Sequence, residues 1–248
     1  METVRTNVAQ GLGEIILNRP AQRNAVNLAM CAELRAAAVA MAHDDAVKVV
    51  LVRGEGPVFC AGADMKERQG MNAQEVSGRR AKSFAAYDAI EAIPKPVVAV
   101  VDGPVVGSGC EIAASCDFVV GTLHATFRYP EVVWGTVGAT QRLPRIVGKQ
   151  RAKELLFTGR IVAAEEAARL GLITRLVERE ALEHDLAALT QDLLRLSPEA
   201  TRLAKRCLDE GMETDRRGAL AIEMMAIEEL LAQADWKAGI ANFLQKDS

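Results

Sequence analysis

No C-x-x-C pair occurs among the five cysteines, Cys31, Cys60, Cys110, Cys116 and Cys207, which excludes a zinc knuckle and a thioredoxin-like redox motif. An odd number of thiols scattered through apolar sequence reads as reduced, buried cysteine in a reducing compartment. There are three histidines, His43, His124 and His184. They lie far apart and build neither an H-E-x-x-H nor an H-x-E…C-x-x-C pattern, so each is expected to be a surface or hydrogen-bonded side chain and no metal is expected. No apolar run approaches the ~20 residues of a membrane span; the valine run at Val97–Val101 is far shorter. Charge of one sign is also missing: 30 Lys plus Arg against 33 Asp plus Glu leave −3, and no aromatic stacking motif is present, so nothing argues for nucleic acid. METVRTNVAQ carries no signal-peptide or transit-peptide pattern, and the closing Gln245-Lys246-Asp247-Ser248 spells no peroxisomal address. A cytoplasmic protein without a membrane partner is expected.

What is present is ordinary globular composition, 50% hydrophobic and 25% charged over 248 residues, enough for one or two domains with a full core. Val4–Val8 and Leu12–Leu17 flank Gly11 as a hairpin. Asn27 is placed to cap a helix bearing Leu28, Cys31, Leu34, Ala38 and Met41. Val47–Val52 and Val97–Val101 read as strands buried on both faces, with a long helix between about Ala73 and Ile93 that Pro94 and Pro96 stop. Cys116–Val120 and Ala125–Arg128 continue the strands. Beyond about residue 140, Lys149–Phe157, Ala163–Leu170, Glu178–Leu196, Pro198–Gly211 and Asp215–Ala234 read as helices, and Ile173–Val177 alone is strand-like. The expectation is an α/β core, residues 1–192, followed by a helical region, residues 193–248. Leu220, Met224, Ile227, Leu230 and Leu231 form an apolar face that packs either within the chain or on a neighbouring subunit.

Two loops carry the chemical signal. Phe59-Cys60-Ala61-Gly62-Ala63-Asp64 and Gly107-Ser108-Gly109-Cys110-Glu111 each follow a buried strand, and the second opens an apolar helix read as Glu111–Ser115. Small side chains let a ligand approach the backbone, and unpaired N–H groups there could polarise one carbonyl oxygen from two directions; such segments are also ordinary tight turns. Glu111 and Glu131 stand in apolar surroundings, where a carboxylate is expensive to bury unless paired or neutral. Helix-dipole compensation for Glu111, and a cap or salt bridge for Glu131, are the plain alternatives.

These residues resemble the crotonase superfamily, the enoyl-CoA hydratase/isomerase family in particular. The resemblance runs from Ile15-Ile16-Leu17-Asn18-Arg19-Pro20 and Arg23-Asn24-Ala25-Val26-Asn27, through Ala61-Gly62-Ala63-Asp64 with Lys66-Glu67, Gly109-Cys110-Glu111 with Cys116-Asp117, Pro130-Glu131, Thr140-Gln141-Arg142-Leu143 with Val147-Gly148, Thr158-Gly159 and Ala167 with Gly171-Leu172, to Gly239-Ile240-Ala241-Asn242-Phe243. It implies a ClpP-like spiral of repeated ββα units with a C-terminal helical region that assembles a homotrimer or hexamer. It further implies reversible addition of water across the 2,3 double bond of a 2-enoyl-CoA thioester. The oxyanion hole maps onto the backbone N–H groups of Ala63 and Ser108, and the catalytic pair onto Glu111 and Glu131. Ala61, Ala63, Asp64, Met65, Lys66 and Ser108 map onto the substrate site, Lys66 as a phosphate partner. No cofactor is implied, because coenzyme A belongs to the substrate. Enoyl-CoA delta-isomerisation, another acyl-CoA reaction of the superfamily and a non-catalytic binding role are the alternatives. Isomerisation needs one base, so keeping both glutamates favours hydration. Two departures stand out: Ser108 replaces the family's glycine, and the segment Trp134–Ala139 is shorter than usual.

Overall fold

The computed structural model describes residues 2–232 and Trp236. The chain divides into two compact units, one ending at Leu194 and the other beginning at Arg195.

In the first unit, β1 (Val4–Ala9) and β2 (Leu12–Leu17) pair antiparallel across a two-residue loop. Gln10 and Gly11 both take positive φ there, 52° and 85°, the conformation whose twist matches a hairpin. Then come α1 (Leu28–His43), β3 (Val49–Gly54), α2 (Met65–Arg68), α3 (Ala73–Glu91), β4 (Val97–Val101), β5 (Pro104–Val106), α4 (Ser108–Ala114), β6 (Phe118–Thr122) and β7 (Thr126–Arg128). The unit closes with α5 (Arg142–Val147), α6 (Lys149–Thr158), β8 (Ile161–Ala163), α7 (Ala164–Leu170), β9 (Arg175–Val177) and α8 (Leu182–Leu194). The Asn27 side chain accepts from Met30 N and so caps α1, and Asn72 with Glu75 forms a capping box on α3.

Six strands form one sheet in the order β1-β2-β3-β4-β6-β9, parallel from β2 onward. Both faces of its middle are buried, as continuous valine runs require. Val50, Val52, Val97, Ala99 and Val101 join the main core with α1 and α3, whereas Leu51, Val98, Val100 and Val120 pack under Leu182, Leu186 and Leu189 of α8. A second sheet, β5-β7-β8, lies outside this one. Its strand β8 corrects the expectation of a single strand after residue 140. Ile161–Ala163 pairs antiparallel with β7, and three residues are too few for a period to show. The helix α5 was likewise unmarked, since Pro144 looks like a breaker; at the third position its missing N–H is one the helix would leave unpaired anyway. The helix α4 begins at Ser108, one turn before its expected start at Glu111.

The second unit contains α9 (Pro198–Gly211), capped by Ser197, and α10 (Arg216–Ala232). Glu229 binds Arg202 and Arg206 between them. Leu220, Met224, Ile227 and Leu231 are each more than two-fifths exposed on α10. The expected helix end at Ala234 and the segment Gly239–Phe243 lie outside the described residues.

Candidate active site

The first loop is stitched to the chain on two sides. Cys60 N donates to Pro104 O at 3.3 Å and Val106 N to Cys60 O at 2.9 Å, while Ala61 N donates to Arg23 O and Val26 N to Gly62 O. Gly62 has φ +95°, and a Cβ there would stand 3.0 Å from Val106 O and 3.9 Å from Ser108 N, so only glycine lets the two loops lie this close. The Asp64 carboxylate caps α2, accepting from Lys66 N and Glu67 N, and pairs with Arg19 at 2.9 Å. Glu67 in turn accepts from Leu28 N and pairs at 2.9 Å with the buried Arg79, which also donates to Val26 O. The loop is thereby rigid, and the Ala63 amide donates to no acceptor among the described residues.

The second loop lies against it. A Cβ on Gly109 would meet Cys60 O at 2.6 Å, so the first turn of α4 packs directly on the first loop. Gly107 takes φ +50° and donates to Arg128 O at 3.0 Å. Ser108 N is the first amide of α4, and it too donates to no acceptor among the described residues. Two neighbouring segments thus offer two unengaged amides.

Both glutamates are buried here, Glu111 7% and Glu131 6% exposed. Glu111 stands on α4 one turn beyond Ser108, and its Oε2 accepts from Arg142 Nη1 at 3.1 Å. Arg142 is anchored by Asp88 at 2.7 Å and Glu91 at 2.6 Å on α3. Glu131 follows Pro130, and its backbone carbonyl accepts from Thr136 N. A Cβ on Gly107 would stand 3.1 Å from Glu131 Oε1, which puts that carboxyl against Gly107, the residue before Ser108. Its Oε2 is buried without a hydrogen-bond partner among the described residues. The short Trp134–Ala139 segment is held by Arg80 of α3, which donates to Val137 O at 3.0 Å.

Burial pushes both carboxyls above their ordinary pKa. At Glu111 the Arg142 guanidinium opposes that rise. At Glu131 its own backbone amide opposes it, the charge of Glu111 adds to it and that of Arg80 opposes it. Tyr87 of α3 is also buried without a partner for its hydroxyl among the described residues; burial pushes its pKa up and the nearby Ser108 opposes this.

The structure therefore brings Ala61, Ala63, Ser108, Glu111 and Glu131 onto adjoining segments. Asp64 turns its carboxylate to Arg19 and the α2 cap, while Met65 and Lys66 are exposed on α2. Glu111 has an ion pair where a helix-dipole role was the plain alternative, and Glu131 has neither cap nor salt bridge among the described residues. Tyr129 is buried, and Trp134 is exposed with the Arg128 guanidinium 5.8 Å from its ring centroid. Four of the five cysteines are buried, Cys207 is half-buried, and His43, His124 and His184 are exposed. Sequence reasoning missed Arg142, Arg80 and Tyr87. A buried carboxylate calls for a cation, but nothing local says which of 30 Lys and Arg residues supplies it.

The enoyl-CoA hydratase/isomerase family model matches residues 7–248. The chain is 37% identical over 249 residues to a crotonyl-CoA hydratase of Syntrophomonas wolfei, covering 99% of this chain and 96% of that protein. It is 38% identical over 249 residues to the mitochondrial enoyl-CoA hydratase domain-containing protein 2 of Mus musculus, covering 97% and 84%. The solved enoyl-CoA hydratase of Bacillus anthracis superposes with a TM-score of 0.94 at 32% identity, over 98% of this chain and 96% of that one. With its fold and sequence matched along nearly the whole length, this chain belongs to the enoyl-CoA hydratase/isomerase family.

Proposed function

We propose that the protein is an enoyl-CoA hydratase, adding water reversibly across the 2,3 double bond of a 2-enoyl-CoA thioester. The observation that carries this reading is a pair of buried carboxyls, Glu111 and Glu131, beside two amides, Ala63 N and Ser108 N, that have no acceptor among the described residues. The amides form the oxyanion hole. They grip the thioester oxygen, make the β-carbon electrophilic and stabilise the enolate; losing one such donor costs about 3 kcal/mol. Glu111 takes a proton from water as its oxygen bonds to the β-carbon, and the π electrons move onto the thioester oxygen. Glu131 gives its proton to the α-carbon as the carbonyl re-forms. The proton on Glu111 then returns to Glu131 through solvent, and no cofactor beyond the coenzyme A of the substrate is required. Ala61, Asp64, Met65 and Lys66 line the coenzyme A path, the exposed Lys66 reaching a phosphate while Asp64 fixes the turn.

The C-terminal helical region from residue 193 serves assembly into a homotrimer or hexamer. Support comes from a groove of about 520 Å³ within the second unit, lined by Leu203, Cys207, Leu220, Ile227 and Leu230, and from Leu208 and Met225, exposed 69% and 66%. Among the described residues no helix is long and apolar enough to cross a membrane, and we place the protein in the cytoplasm. Loss of enoyl-thioester absorbance on adding crotonyl-CoA tests the activity. A 3-enoyl thioester incubated in heavy-oxygen water separates the isomerase alternative, whose product gains no label. Light scattering in solution gives the subunit count.

A further inference from the structure

We infer that Arg142 is a positioning residue for the water-activating half of the reaction: it holds the Glu111 carboxylate by one oxygen and leaves the other for the attacking water. The inference rests on the hydratase reading. Its basis is an asymmetry between the two glutamates. Arg142 Nη1 donates to Glu111 Oε2 at 3.1 Å. The opposite edge of the same guanidinium is fixed to α3, Nη2 at 2.7 Å from Asp88 and 2.6 Å from Glu91, with Nε a further 3.1 Å from Glu91. A planar fork anchored at two acids has little freedom left, so the third contact sets the orientation of Glu111 rather than following it. Glu111 Oε1 accepts from no described residue and is not among the sealed, partnerless oxygens. Glu131 has no such clamp among the described residues, and its Oε2 is the sealed one.

A guanidinium on one carboxylate oxygen favours the ionised form and leaves one lone-pair face free, which is what a base toward water requires. A carboxyl with a sealed, unpaired oxygen favours holding its proton, which suits the donor to the α-carbon. Arg142 thus divides the labour between two chemically identical side chains, without itself touching the acyl group.

The test separates the two halves. Hydration of crotonyl-CoA needs both glutamates, whereas exchange of an α-proton of butyryl-CoA into heavy water needs Glu131 and the amides but not Glu111. Arg142→Met should slow hydration on the order of 100-fold, the scale of a misplaced catalytic group, and leave α-proton exchange within about threefold of the parent. Arg142→Lys keeps a cation but not the fork; it should restore part of the hydration rate with exchange again retained, and it serves where the Met variant does not fold. Hydration and exchange falling together in a folded variant would reduce Arg142 to scaffold and overturn the inference, as would hydration at the parent rate. A parent protein that exchanges the α-proton yet hydrates nothing would instead overturn the hydratase reading, and this role with it.

Discussion

Replacing Glu131 with Gln should move activity and stability in opposite directions. Gln keeps the shape but cannot deliver the proton, so kcat for crotonyl-CoA hydration should fall at least ~100-fold, about 2.7 kcal/mol in the barrier. Stability responds to burial. Oε2 has no partner among the described residues, and an unsatisfied buried polar group costs ~1–3 kcal/mol, more when charged. Gln leaves an amide in its place, also unpaired but neutral, so the expected gain at pH 8 is about 1 kcal/mol. Because burial lifts the folded-state pKa of Glu131, its stabilising proton is fully bound in both states below the unfolded value of about 4.3 and its contribution is lost as pH rises through the folded value. The variant's advantage should therefore be absent near pH 4 and grow toward neutrality. Urea unfolding of both proteins at pH 5 and pH 8, beside initial rates followed by enoyl-thioester absorbance, measures both effects. Undiminished turnover would remove Glu131 from the mechanism. A variant less stable than its parent at pH 8 would refute the claim that the carboxylate is buried at a cost.

Ser108→Gly should keep turnover within a few-fold, because the donor is the backbone amide and not the hydroxyl; a loss of ~100-fold would show that the side chain takes part in oxyanion binding. Gly62→Ala forces a side chain into φ +95° with its Cβ 3.0 Å from Val106 O, and should cost ~1–3 kcal/mol in urea unfolding. Since that glycine also sets the distance between the two amides, its kcat/KM should fall too. Asn24 is fully buried at φ +55°, donates to Glu55 O and Val58 O and accepts from Arg19 N. Asn24→Ala should destabilise by ~2–4 kcal/mol, and a change below 0.5 kcal/mol would mean these bonds are replaced by water.

The amino-acid order determined the parts that depend on near neighbours. The valine runs at 49–54 and 97–101 specify strands buried on both faces, because alternate residues point to opposite sides and none of the central ones is polar. Asn27 specifies a helix start through a bond to Met30, three residues away. The glycine-bearing loops at 59–64 and 107–111 and the two glutamates in apolar company were visible for the same reason: their message lies within a few positions. The three-residue strands β5 and β8 were not, since each is a strand only because a partner bonds to it. The tertiary structure alone decided which partners the two glutamates have. Gly62 meets Ser108 across 46 positions, and Arg142 reaches Glu111 across 31 while bound to Asp88 and Glu91. Glu131 has no such cation paired with it among the described residues. Two identical side chains stand in different surroundings because packing, acting between distant residues, paired Glu111 with a guanidinium and left Glu131 Oε2 buried with no partner among the described residues.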